Sequence, residues 1–265
     1  MVADWTSSAS ARPRLRLPAP SALLPSRRIA LSTGAIVGAL ALAYLAARTT
    51  PLFAVRTVEV SGAPASVSEE VERAAARFTG TSLVALDGAD LIRRIESLST
   101  VVSARYDRAF PHTLRIFVVP ERPIAVIAYN GAGWVVSERG RVVKRAGRRE
   151  LDKYPHINLE SAQRLTPGET IRDPRAVAPL GALAKIGETF PVRVDAARLD
   201  EGKLVLTVAG STELRLGEPV DLDVKLAAAA RVLGAFSHAE RVLLAYLDVS
   251  LPERPVAAEN TQVVG

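Results

Sequence analysis

The chain has 265 residues, 48% of them hydrophobic and 23% charged, and it contains no cysteine. That length holds one or two domains with appendages, and the balance excludes a wholly disordered, collagen-like or polytopic membrane protein. Without cysteine there can be no disulfide, thiol chemistry or cysteine-ligated zinc or iron–sulfur site. The net charge of +6 is concentrated at one end, because residues 1–48 hold six arginines and a single acid, Asp4. The rest is close to neutral, which argues against a phosphate-binding surface there.

The first 28 residues carry four prolines, five serines and scattered arginines. They cannot bury enough apolar surface to fold and read as a disordered cytoplasmic tail. From Ile29 to Ala47 the chain runs 19 residues without a charge. As a helix this segment spans about 28 Å, the thickness of a bilayer core. Arg27 and Arg28 precede it with three more arginines upstream, whereas Arg48 stands almost alone behind it. The positive-inside bias therefore predicts a single-pass protein with its N-terminus in the cytoplasm and its bulk outside. A cleaved signal peptide competes, since Ala39-Leu40-Ala41 and Ala41-Leu42-Ala43 resemble cleavage sites. The length of the basic region and the continuation of the apolar run past both sites favour a retained anchor. No polar face interrupts the run as it would in a core helix.

Beyond Thr49–Leu52, Val55–Val60 alternates apolar and polar residues and stops at Ser61-Gly62, a strand ending in a turn. Ser66 or Ser68 is the expected cap of a helix over SEEVERAAARF, closed by Gly80. A second helix is predicted over Gly88–Leu98, capped by Asp87, with Leu91, Ile92, Ile95 and Leu98 on one face. Two alternating runs follow, Val101–Phe110 and Thr113–Val119, joined at Pro111-His112 as a hairpin. Strand, helix, helix, strand, strand is a compact α+β module with two helices on one face of a small sheet.

Strand signals then dominate: Ile124–Tyr129, a turn at Asn130-Gly131, Trp134–Ser137, and Val142-Val143. Pro174–Phe190 is a helix candidate. Val192–Leu199, Leu204–Val208 and Glu213–Leu216 read as strands. A helix is expected over Leu222–Ala235 with Asp221 as its cap, and a last strand over Arg241–Ser250. Residues 251–265 read as a flexible tail.

The first module resembles the POTRA domain of the FtsQ/DivIB family of cell-division proteins. The resemblance rests on the strand led by Phe53 and ending at Gly62, and on Val101 or Val102, Ala104, Tyr106, Arg108, Pro111, Thr113, Leu114, Ile116 and Val118. Glu121, Arg122, Pro123 and Ala125 complete the match. In the hairpin after Trp134 the chain departs from the family pattern, placing Ser137 and Glu138 near its usual aspartate. Leu214 to Leu226, turning at Gly217, resembles the family's strand-to-helix passage, and Tyr246-Leu247-Asp248 its terminal strand. The implied architecture is a transmembrane helix at 29–47, a POTRA domain at 53–121, a β-rich domain with two helices at 122–250 and a tail at 251–265.

Catalytic constellations are missing from the sequence: there is no Gly-x-Ser-x-Gly elbow, Walker loop, Ser-x-x-Lys or His-Glu-x-x-His. Gly131-Ala132-Gly133 is a fragment of a dinucleotide loop with no helix to follow. His112, His156 and His238 lie far apart and form no helical ligand pair, so no metal or other cofactor is expected. Asp221 and Asp223 suit a helix N-terminus better than an acid pair. The basic stretch Arg139, Arg141, Lys144, Arg145, Arg148 and Arg149 reads as a solvated face, with an acidic partner or lipid headgroups as the alternative.

The resemblance implies a non-enzymatic scaffold of the division septum in the inner membrane, with membrane-anchored partners of the FtsB and FtsL type. It implies that these dock on the C-terminal strand by adding a strand of their own. The residues carried over are Tyr246, Asp248, Val249, Ser250 and Leu251, together with Val256 beyond Pro252 and Pro255. A POTRA protein of an export or assembly pathway, and an envelope enzyme on the same anchor, are the alternatives.

Overall fold

The computed structural model describes residues 27–129, 131–159, 165–208 and 211–259, and side-chain surroundings from residue 31 onward. The tail expected over 1–28 lies, up to residue 26, outside the described residues, as do Asn130 of the predicted turn and residues 260–265. α1 (Arg27–Thr49) is a single helix, and its segment Leu31–Thr49 is long and apolar enough to cross a membrane. Leu31, Ile36, Leu40, Leu42 and Leu45 all stay exposed on it, so it contributes nothing to a protein core.

The first module follows the predicted order: β1 (Thr57–Ser61), α2 (Ala65–Ala75), α3 (Gly88–Glu96), β2 (Val101–Ala109) and β3 (Thr113–Pro120). The strands stand in the order β1-β3-β2, with β1 parallel and β2 antiparallel to β3. Alternation along β3 explains the layering. Leu114, Ile116 and Val118 are buried against Val71 and Ala75 of α2 and Leu91 and Ile95 of α3, while Arg115, Phe117 and Val119 face outward. Asp87 caps α3, its carboxylate accepting from the amides of Ala89 at 2.9 Å and Asp90 at 3.1 Å.

α2 differs from expectation at both ends. It starts behind Pro64, whose carbonyl accepts from the amides of Val67 and Ser68. The Ser68 hydroxyl turns back to the carbonyl of Ala63 and caps nothing. Its end passes through a 3-10 turn, Ala76–Phe78, before Gly80 reverses the chain at φ +84°.

The β-rich region holds nine strands: β4 (Pro123–Tyr129), β5 (Ala132–Ser137), β6 (Val142–Arg145), β7 (His156–Asn158), β8 (Val194–Asp200), β9 (Lys203–Val208), β10 (Thr212–Gly217), β11 (Leu244–Asp248) and β12 (Val256–Glu259). They form one sheet in the order β12-β11-β10-β9-β8-β7-β4-β5-β6. The two expected helices are α5 (Pro174–Lys185) and α6 (Leu222–Ala235), joined by two short ones, α4 (Arg148–Lys153) and α7 (His238–Leu243). α5 and α6 cover one face over a core that includes Ile127, Ile157, Leu180, Leu206, Leu214, Leu233 and Leu247. On the opposite face a small cluster, Val126, Val135 and Val143 with Ala146 and Tyr154, lies at the β4–β6 end only.

Four local expectations are corrected. The helix expected to reach Phe190 stops at Lys185, where Ile186 turns extended. Asp221 precedes α6 in a left-handed conformation, φ 52°, and its side chain makes no capping bond. The strand expected from Arg241 begins only at Leu244, because Ser237 and Glu240 close a capping box and hold 238–243 as α7. The expected tail contains β12, which pairs antiparallel with β11.

Between the module and the sheet, the Ser99 hydroxyl donates to the carbonyl of Val143 at 2.6 Å. The Arg141 guanidinium donates to the carbonyls of Val101 and Gly168, both at 3.1 Å. It also lies 3.8 Å from the carboxylate of Glu121, whose side chain is 2% exposed. Arg141 thus leaves the solvated basic face expected of its neighbours and clasps the two halves of the chain.

Candidate partner-binding edge

A sheet presents unpaired backbone groups only at its two ends, and here the ends differ. Beside the start of β6, residues 168–171 cover the edge: Val142 donates to Glu169, Gly168 to Val142 and Ile171 to Gly140, and Arg141 bridges Thr170. At the other end β12 has β11 on one side and, among the described residues, no strand on the other.

β11 therefore offers no free edge. Glu213, Leu214 and Arg215 of β10 pair with Tyr246, Leu247 and Asp248 in parallel register. On its far side Tyr246, Leu247 and Asp248 face Ala258, Ala257 and Val256. β12 already occupies the position beside Tyr246, Leu247 and Asp248 where a partner strand was expected to pair, and Val256, also among the expected residues, lies on β12 itself. The sequence carried no periodic signal for a strand in the four residues VAAE. Their order comes from β11, and no local pattern could have revealed it.

The six expected residues are brought together but divide by role. Tyr246 and Asp248 project from the sheet face that α5 and α6 leave bare. The Arg215 guanidinium lies 4.1 Å above the Tyr246 ring and pairs with Glu213 at 2.8 Å, while Arg198 reaches the other oxygen of Glu213 at 2.6 Å. Arg198 first and Arg215 second hold the Glu213 carboxyl below its ordinary pKa. The Asp248 carboxylate accepts from the Ser250 amide at 2.9 Å, closing the strand into a turn. Val249 is fully buried in the core beneath the sheet, which removes it as a contact residue. Leu251 and Val256 are exposed.

Gly217 makes the close turn at Ser250 possible. Its φ is +67°, and a Cβ there would stand 2.8 Å from the Ser250 Cβ. Around this corner Val220, Val224, Leu251 and Val256 are all exposed apolar side chains. Val224, Pro252 and Glu253 line two neighbouring grooves. One, of about 1060 Å³, is lined by Arg215, Asp248 and Ser250; the other, of about 760 Å³, lies between α6 and Pro255. Sequence reasoning missed Val220, in the turn before α6, and Val224, in the first turn of α6 and outside its buried stripe.

The remaining sequence candidates lie elsewhere. His112 sits in the β2–β3 hairpin, His238 on α7, and His156 on β7, where its Nε2 is 2.7 Å from the carbonyl of Leu151. Gly133 lies within β5, and Asp223 pairs with Lys185 at 2.5 Å.

An apolar N-terminal helix long enough to cross a membrane, followed by a β-α-α-β-β module and a sheet, defines a POTRA protein with a candidate membrane anchor. Residues 53–121 match the family model described as POTRA domain, FtsQ-type. A cell division protein FtsQ of Myxococcus fulvus is 30% identical over 207 residues, which cover 74% of this chain and 70% of that protein. A cell division protein FtsQ of Mycolicibacterium smegmatis is 38% identical over 100 residues, 37% of this chain and 30% of that protein. A cell division protein FtsQ of Caulobacter vibrioides is 27% identical over 176 residues, 64% of this chain and 56% of that protein. The chain belongs to the FtsQ family of cell-division proteins.

Proposed function

We propose that the protein is a non-catalytic scaffold of the bacterial division septum. It is held in the inner membrane by α1 with its N-terminus in the cytoplasm, and it gathers FtsB- and FtsL-type partners through the β12 edge. The observation that carries this reading is the asymmetry of the sheet: residues 168–171 pair along the start of β6, whereas β12 has no further strand beside it among the described residues.

Magnitudes define what the edge must do. Four residues supply at most about four main-chain hydrogen bonds to an added strand, worth roughly 2–6 kcal/mol in total. That corresponds to a Kd between about 30 mM and about 40 μM. Side chains must supply the rest, and the exposed apolar corner of Val220, Val224, Leu251 and Val256 flanks the edge where a partner continuing past its strand would lie. Tyr246 and Asp248 enter as side-chain contacts, not as the paired backbone.

The test is an N-terminal fluorescent fusion in dividing cells, with partner retrieval from detergent extracts. Ala257→Pro removes one N–H from β12 and disrupts the edge whichever way that group points. The expected result is mid-cell recruitment of the wild type and loss of FtsB-type retrieval by the variant. Uniform envelope fluorescence through the cell cycle would overturn the scaffold reading. Undiminished retrieval by Ala257→Pro would overturn the edge.

A further inference from the structure

The end of α1 is built into the POTRA domain with no free linker. Three hydroxyls occupy the last carbonyls of the helix: Thr49 donates to Leu45 at 2.8 Å, Thr50 to Ala46 at 2.6 Å, and Ser82 of the α2–α3 loop to Ala47 at 2.9 Å. The following residues are equally tied. Leu83 donates to the carbonyl of Phe53, Val55 to Thr81 and Arg56 to His112, all within 2.9 Å. The hairpin tip is thereby drawn back to the helix terminus, where the Phe110 and Phe53 rings meet edge to face at 5.6 Å.

This leaves a patch that serves no core. Leu52 is 62% and Phe110 56% exposed, Phe53 is half-buried, and none belongs to the hydrophobic cluster of the domain. Leu52 stands three residues beyond the helix, so its backbone lies within about 10 Å of Thr49. Exposed Phe and Leu side chains at that depth can bury into the headgroup–acyl boundary of a bilayer. Arg48 and Arg56, both exposed, bracket the patch in sequence with charges suited to anionic headgroups.

We propose that Leu52, Phe53 and Phe110 form a lipid-contacting foot that seats the POTRA domain on the bilayer surface at the C-terminal end of α1. The occupant is the lipid itself, because the patch continues a helix that already spans the membrane and is hydrogen-bonded to it. The proposal rests on the anchor reading of α1. Its consequence is a domain held at one orientation to the membrane, so that the β12 edge is presented at a fixed height.

The absence of cysteine allows a direct test by spin labels on single-cysteine variants of the full chain. These are Leu42→Cys, Leu52→Cys, Phe110→Cys and Ser103→Cys, each in phosphatidylcholine–phosphatidylglycerol nanodiscs. Ser103 is seven residues back along β2, roughly 23 Å from the tip. All four positions are exposed, so no label disturbs a core. The readout is the ratio of oxygen to nickel-chelate accessibility. The expected result is a high ratio at 42, a ratio severalfold above that of 103 at both 52 and 110, and a solvent value at 103. Solvent values at 110 with 42 in lipid overturn the foot and leave the anchor standing. A solvent value at 42 overturns the anchor and the foot together.

Discussion

Arg141→Ala tests whether the Arg141 side chain, beside the Ser99 hydroxyl, clasps the two halves of the chain. The substitution removes two hydrogen bonds from a guanidinium, to the carbonyls of Val101 and Gly168. It also removes the cation 3.8 Å from a Glu121 carboxylate whose Oε2 already lacks a hydrogen-bond partner. Bonds from a charged donor are worth about 1.5–3 kcal/mol each before relaxation and water entry, and stranding a buried charge adds to the loss. The Arg141 side chain is 22% exposed, so water recovers part of this, and the expected cost is about 2–4 kcal/mol. For a folded region of this size that lowers Tm by about 5–12 °C. Adding Glu121→Gln removes the stranded charge, and the double variant should be about 1–2 kcal/mol more stable than the sum of the single effects. The assay is thermal and urea unfolding of the full chain in detergent micelles, followed by near-ultraviolet circular dichroism. An Arg141→Ala variant within about 0.5 kcal/mol of wild type would refute the clasp, and a cycle additive to within about 0.5 kcal/mol would refute the coupling.

Further consequences concern the proposed docking corner and the caps. Because Glu213 has its pKa lowered by Arg198 and Arg215, its contribution to stability is complete above the ordinary carboxylate value near 4.5 and is lost as pH falls through the lowered one. Glu213→Gln should therefore flatten the acid limb of a stability–pH profile, and an unchanged limb would count against the triad. Gly217→Val forces a β-branched residue to φ +67° and 2.8 Å from Ser250, with an expected loss of about 1–2 kcal/mol from backbone strain alone and weakened partner retrieval. Asp87→Ala should cost about 1 kcal/mol as a lost cap, whereas Asp221→Asn, which removes no capping bond and keeps a residue type suited to φ 52°, should cost little. Equal losses at both positions by denaturant unfolding would contradict the assigned bonds.

The elements themselves were largely legible. The spacing of Leu91, Ile95 and Leu98 gave α3, the alternation of Leu114, Ile116 and Val118 gave β3, and the uncharged run to Ala47 gave α1, because each pattern reflects a face that a regular backbone must bury or leave in lipid. The candidate site was legible only in part. Tyr246 and Asp248 could be picked out by resemblance, but their neighbour β12 could not, since VAAE has no period and is ordered by pairing alone. Local patterns also overextended: the apolar residues of 241–243 read as strand until the capping box at Ser237 held them as helix.

The chain by itself therefore determined the anchor, the order of elements and most of their buried faces, all properties of neighbouring residues and their solvent preference. Tertiary structure decided which strand would be last in the sheet, that Arg141 would leave a basic run to join two halves, and that Phe110 would meet Phe53 below the membrane helix. These depend on residues 8 to 57 positions apart, whose meeting is fixed by sheet pairing and packing, and no local periodicity encodes that choice.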